Sequence, residues 1–88
     1  SVVVSPGALP SICDRGNPGM ASPGMGDVLT GVVAGVMAQA QDTAAAVRVA
    51  VLAHAMAGDL AARRGERGLI ASDLFEYLPT CLNRPQLA

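Results

Sequence analysis

The chain has no lysine and no tryptophan, Phe75 and Tyr77 are its whole aromatic complement, and Cys13 and Cys81 are its only thiols. Each scarcity excludes something. With every basic residue an arginine and a formal net charge of -1, no basic patch is broad enough to grip nucleic acid or an anionic membrane, so neither is expected as a partner. Two isolated cysteines are too few for a disulfide framework or a zinc site; they read as reduced thiols used in packing, which points to a cytoplasmic protein. The longest apolar runs, Val28 to Ala38 and Val49 to Ala53, fall short of the ~18 residues of a spanning helix, and the first contains Gly31 and Gly35. Ser1-Val-Val-Val has no basic n-region, so no secretory signal is predicted.

What the chain does have is aliphatic surface. It is 51% hydrophobic with a mean hydropathy of +0.41, most of it Ala, Val and Leu. Its 88 residues make at most one domain, and a chain of this size buries only roughly 60% of the surface it exposes when unfolded. That much apolar surface calls for partners. Either other chains pack here, or these residues are one end of a larger domain whose sheet lies elsewhere.

Read in order, residues 2–5 and 9–14 are short β-branched runs separated by Pro6-Gly7, and they predict two antiparallel strands. Pro10 puts the second on an edge or at a bulge, because it cannot donate to a ladder. A loop over 16–26 precedes a first helix at about 27–39, with Val28, Val32 and Val36 on one row and Leu29, Val33 and Met37 beside it. Gly31 and Gly35 on a third row suggest close approach of another backbone. Asp42 is a good N-cap for a second helix over 42–64, ended by Gly65 and apolar nearly all round, the pattern of a helix buried on most sides. A lone His54 on such a helix reads as a hydrogen-bonded core residue. Ser72 is the expected cap of a third helix over 72–83, which Pro79 should kink or restart, and Asn83-Arg84-Pro85 should end the ordered part in a frayed tail.

The chemistry concentrates in Asn17-Pro-Gly-Met-Ala-Ser-Pro-Gly-Met-Gly-Asp-Val-Leu-Thr-Gly31. Glycines sit where a helix begins, and the first N–H groups of a helix have no internal partner, while the macrodipole adds roughly half a positive charge there. A phosphate can be held at such a start. Asp27 stands beside it, where a carboxylate could steer an attacking hydroxyl. Alone, Gly-x-Gly-Asp is equally an ordinary turn with an acidic first helical residue.

The longer string, Asn17, Gly19, Gly24, Gly26, Asp27 and Gly31 at these spacings, closely resembles the signature of the ribokinase-like superfamily, and within it the ADP- or ATP-dependent NAD(P)HX dehydratases. His54-Ala-Met-Ala-Gly58-Asp59 and Gly65-Glu-Arg-Gly68-Leu-Ile-Ala-Ser72-Asp73-Leu74 are similar to later strings of that family, so the likeness spans nearly the whole chain. One departure is visible. Pro23-Gly24 stands where the family often has two glycines, and the missing N–H moves any phosphate contact to Gly24 through Asp27.

The resemblance implies an α/β fold, the C-terminal segment of a ribokinase-like three-layer domain with two short strands and then three helices. It implies a lyase that restores hydrated NADH or NADPH (NADHX, NADPHX) while converting ADP, or ATP, with Mg2+ accompanying the nucleotide, and a homo-oligomer, a tetramer among the forms to expect. Asn17, Gly24, Met25 and Gly26 would hold the nucleotide phosphate, and Asp27 would face the substrate hydroxyl as base. No protein-held metal site is implied. The 88 residues by themselves are expected to be inactive, since other pocket residues would lie outside them. Two other readings stay open: a small-molecule kinase of the same superfamily acting on a hydroxymethylpyrimidine, a thiazole or a sugar, and a non-catalytic helical assembly module.

Overall fold

The computed structural model describes residues 1–7 and 9–83. Its central element starts at Asp42, whose backbone is extended and whose side chain accepts from the Ala45 amide at 3.1 Å, meeting one of the orphan donors of α2 (Thr43–Ala61). Small side chains then let other elements come close. Ala50, Ala53 and Ala57 are fully buried, and α1 (Met25–Gln39), a 3₁₀ turn at Ala71–Leu74 and α3 (Leu78–Asn83) all pack against α2. The link of residues 40–42 between α1 and α2 is short enough to lay them side by side as a helical hairpin. Met25, Ala53, Ala57, Ala61, Leu69, Leu74 and Cys81 form the core at the far end of that hairpin. A 3₁₀ turn at Ala62–Arg64 continues α2 until Gly65, at φ +119°, reverses the chain.

Several expected boundaries shift, each for a local reason. The strands shrink to β1 (Val2–Val3) and β2 (Ser11–Ile12), antiparallel with Val2 opposite Ile12, because Pro6-Gly7 and Pro10 interrupt the ladder on the side of the connection. α1 begins at Met25 rather than Asp27, since Gly24 can serve as its cap. The third helix is not continuous over 72–83: residues 71–74 form a 3₁₀ turn and α3 starts afresh at Leu78, which leaves Pro79 in a first turn where no amide donor is needed. Ser72 is inside that turn and caps nothing; Asp73 Oδ2 instead accepts from the Ile70 amide at 2.9 Å. The tail expected beyond Asn83 falls on residues 84–88, outside the described residues.

Two expectations about apolar surface also change. Nothing lies within 4 Å of a Cβ placed on Gly31 or Gly35, so no described backbone approaches that row. Met25 is the one buried residue of α1, and Leu29, Val33 and Met37 border a shallow open trough. Conversely, Thr43–Arg64 is 22 residues long and apolar enough to cross a membrane by length and composition, because Arg48, His54 and Asp59 break its runs without making it polar overall. Half of its most apolar window is buried inside the chain, as in the core helix of a globular domain.

Leu74 is 0% exposed in the core cluster. Leu74→Ala should therefore cost about 2–5 kcal/mol of stability by urea denaturation of the full-length protein. A loss under ~1 kcal/mol would show that the turn at 71–74 is not part of the core.

Candidate phosphate-binding site

α1 begins at a conformation that L side chains rarely adopt. Gly24, its N-cap, is left-handed at φ +87° and ψ −9°, and a Cβ there would also press on the Ala71 Cβ at 3.3 Å. Glycine brings no capping side chain. The first helical bond runs from the Val28 amide to the Gly24 carbonyl at 3.1 Å, and the Met25 amide reaches the Ser22 carbonyl at 3.4 Å. That leaves the amides of Gly24, Gly26 and Asp27 without a partner among the described residues. All three residues are exposed, and the space off the Gly26 Cα is empty to 4 Å. The Ser22 hydroxyl, two residues before the cap, is shut off from solvent with no partner among the described residues.

Behind this open turn, α2 holds the loop at three points. Asp59 Oδ2 accepts from the Gly16 amide at 3.0 Å and Oδ1 accepts from Asn17 Nδ2 at 2.9 Å. Asn17 is then committed at both ends, because its Oδ1 accepts from the Gly19 amide at 3.0 Å and so caps a 3₁₀ turn at Pro18–Met20. The preceding residue of α2, Gly58, leaves room for the Met20 side chain; a Cβ there would overlap Met20 Sδ and Cε. One turn back from it, His54 Nε2 donates to the Met25 carbonyl at 3.2 Å. Gly19 is equally constrained, since a Cβ would stand 2.5 Å from the Glu66 carbonyl oxygen.

The two carbonyls behind the open amides are both engaged by side chains. His54 serves that of Met25, and Thr30 Oγ1 donates to that of Gly26 at 2.9 Å. A cleft of about 340 Å3 lies between the loop, the first turn of α1 and α2, lined in part by Arg15, Asn17, Gly26, Leu29, Val51 and His54. Arg15 is among its lining residues, and its guanidinium makes an exposed pair with Asp14 at 3.5 Å. Asp27 is on the same turn but outside the lining of that cleft. No group of three or more His, Cys, Asp or Glu side chains converges to hold a metal ion among the described residues.

Of the residues singled out from sequence, Gly24, Met25, Gly26 and Asp27 share one helical turn; Gly24, Gly26 and Asp27 face outward, while Met25 is buried and 6% exposed. Asn17 sits at the loop's other end with its amide group used inside the protein. Asp59 and His54 carry the loop, and spacing alone did not mark them. The row His54, Gly58, Asp59 on one helix is the signal that could have: two polar residues and a glycine on a helix that is aliphatic apart from Thr43 and Arg48.

The described residues thus bring together a helix start that has no side-chain cap and a first-turn carboxylate, on a turn held from behind by a second helix. The chain belongs to the NAD(P)H-hydrate dehydratase family, whose model matches residues 1–80. It is similar to the bifunctional NAD(P)H-hydrate repair enzyme Nnr of Coxiella burnetii, with 49% identity over 73 residues, 82% of this chain and 15% of that protein. The enzymes of the same name from Vibrio cholerae and Escherichia coli are each 46% identical, over 92% and 93% of this chain and 17% and 16% of theirs. The chain thus spans about one sixth of the length of these curated relatives. No solved structure matches it significantly.

Burial pushes the His54 pKa below its ordinary value, and the bond to the Met25 carbonyl pulls it back only in part. The unfolded chain takes up its proton near pH ~6.5. Just below that, the unfolded state binds more protons than the folded one, so stability rises with pH through this window and is lost on acidification. Lowering the pH from about 7.5 to about 5.5 should lower the thermal midpoint of the full-length protein. His54→Gln, which keeps a donor N–H but cannot titrate, should flatten that slope; equal slopes in the two proteins would place the titration elsewhere.

Proposed function

We propose that this chain supplies the phosphate hole and the catalytic carboxylate of an ADP- or ATP-dependent dehydratase that restores hydrated NADH and NADPH. One observation carries the reading: the unpaired, outward amides of Gly24, Gly26 and Asp27 lie on the same turn as the Asp27 carboxylate. Preorganised donors of this kind stabilise charge that develops on a transferring phosphoryl group. Membership of the dehydratase family supports that substrate over the sugars and vitamin precursors of a superfamily kinase.

The ring hydroxyl of the hydrate attacks the terminal phosphorus of the nucleotide, an O–P bond forms, and the bond to the departing nucleotide breaks, giving AMP when ADP is used. A carboxylate is too weak a base to ionise an alcohol in advance. In a loose phosphoryl-transfer transition state little deprotonation is needed early, so Asp27 orients the hydroxyl and accepts its proton late. The phosphorylated oxygen is then a good leaving group. The ring nitrogen's electron pair expels it as phosphate, and loss of a proton from the neighbouring carbon restores the dihydronicotinamide. Asn17 acts in this reading through the loop it caps, and Met25 through its backbone. Mg2+ would enter with the nucleotide and offset the charge of its phosphates, since no group of three or more His, Cys, Asp or Glu side chains converges among the described residues to hold it.

Asp27→Ala in the full-length protein should lower kcat at least ~100-fold with nucleotide affinity little changed. Near-normal turnover in that variant would remove the assigned role. Gly26→Val should abolish nucleotide-dependent release of NADH, because the side chain fills the space a phosphate must enter. Tight nucleotide binding retained by that variant in calorimetry would count against the site. Product analysis separates the kinase reading, since a kinase leaves a stable phosphoester and no reduced-nicotinamide absorbance.

A further inference from the structure

His54 has a use beyond filling the core. A carbonyl oxygen only accepts, so the Nε2···O distance of 3.2 Å to Met25 fixes the proton on Nε2. That carbonyl and the Gly26 N–H belong to one planar trans peptide unit, and in such a unit the two groups point in opposite directions. Holding the carbonyl toward α2 therefore turns the Gly26 amide away from α2, on a residue that is exposed and whose added Cβ would meet nothing within 4 Å. A donor on the carbonyl also polarises the amide on the other side of the same unit, strengthening it toward an anion. Thr30 does this for the next unit from within α1, at 2.9 Å from the Gly26 carbonyl, an ordinary helical back-bond. His54 differs in coming from another helix, 29 residues away in sequence and buried at 8% exposure, so it also fixes the turn in place.

We propose that His54 is a positioning residue for phosphoryl transfer: its Nε2–H, bonded to the Met25 carbonyl, orients and polarises the Gly26 amide that receives the phosphoryl oxygen. This rests on the function assigned above. The contribution is realised as charge develops, so it acts on kcat more than on KM. Removing an oxyanion-hole donor outright costs ~100- to 1000-fold, and loosening one from behind should cost less.

The test compares wild-type, His54→Gln and His54→Leu in the full-length protein. His54→Leu should lower kcat about 10- to 100-fold with a smaller change in KM for the nucleotide, and His54→Gln, whose amide N–H can reach the same carbonyl, should recover most of that loss. Equal loss in both variants, or no loss in His54→Leu, would overturn the proposal. Two NMR readouts need no turnover. In the wild-type protein, with no variant required to fold, the imidazole must be the Nε2-protonated tautomer; and the Gly26 amide nitrogen should shift in His54→Leu more than amides elsewhere in α1 and more than it does in His54→Gln, which keeps the donor. An Nδ1-protonated ring, or a Gly26 resonance unmoved by His54→Leu, contradicts it. A wild-type protein with no nucleotide-dependent dehydration would count against the function assigned above, while the tautomer and the amide shift still decide the role of His54.

Discussion

The structure depends on one carboxylate. Asp59 projects from α2 between two donors of the incoming loop, the Gly16 amide at 3.0 Å and the Asn17 side chain at 2.9 Å. Charge-assisted bonds of this kind are shorter and stronger than neutral ones. They join residues 42 and 43 positions apart in the chain, which fixes where the loop begins relative to the helix that follows it. Everything downstream follows from that anchor: Asn17 caps the turn at 18–20, Met20 drops into the gap left by Gly58, and the chain arrives at Gly24 with its amides outward.

The same helix that anchors the loop also builds the core. The buried alanines of α2 contribute little area each, but they let α1, α3 and the turn at 71–74 close in from different sides. Protein interiors pack to crystal-like density, so a helix held on several sides is a rigid platform. Rigidity matters for the function proposed here, because a donor array stabilises a transition state only when it need not reorganise during the reaction. His54, Gly58 and Asp59 borrow that rigidity for the loop. α1, in contrast, buries only Met25 and leaves its valines and Leu29 half-buried, and the chain covers only about one sixth of the length of its relatives.

Much of this was legible in the sequence, and the limits have physical causes. Helical periodicity marked two long helices, and Asp42 announced its cap because capping is decided by a few neighbouring residues. The glycines before Val28 marked an open helix start for the same reason. At Pro79 the sequence left a kink and a restart both open, since whether proline bends a helix or opens a new one depends on what packs beside it; the structure shows the restart. The strands were overestimated because pairing, unlike helix formation, is settled by a partner the segment does not contain. Asp59 and His54 were missed as site-building residues because their partners lie 29 to 43 residues away: the row they form with Gly58 sets them apart on α2 without saying what they reach.

The account turns on whether α2 holds the loop through Asp59. Hydrogen exchange of the full-length protein, compared between wild type and Asp59→Ala, tests this directly. Amides of residues 16–25 should lose protection together, and inorganic phosphate should bind more weakly, while the amides of α2 exchange as before. Unchanged protection across 16–25 in the variant would show that the loop is held by something else, and that Asp59 is only a surface carboxylate beside it.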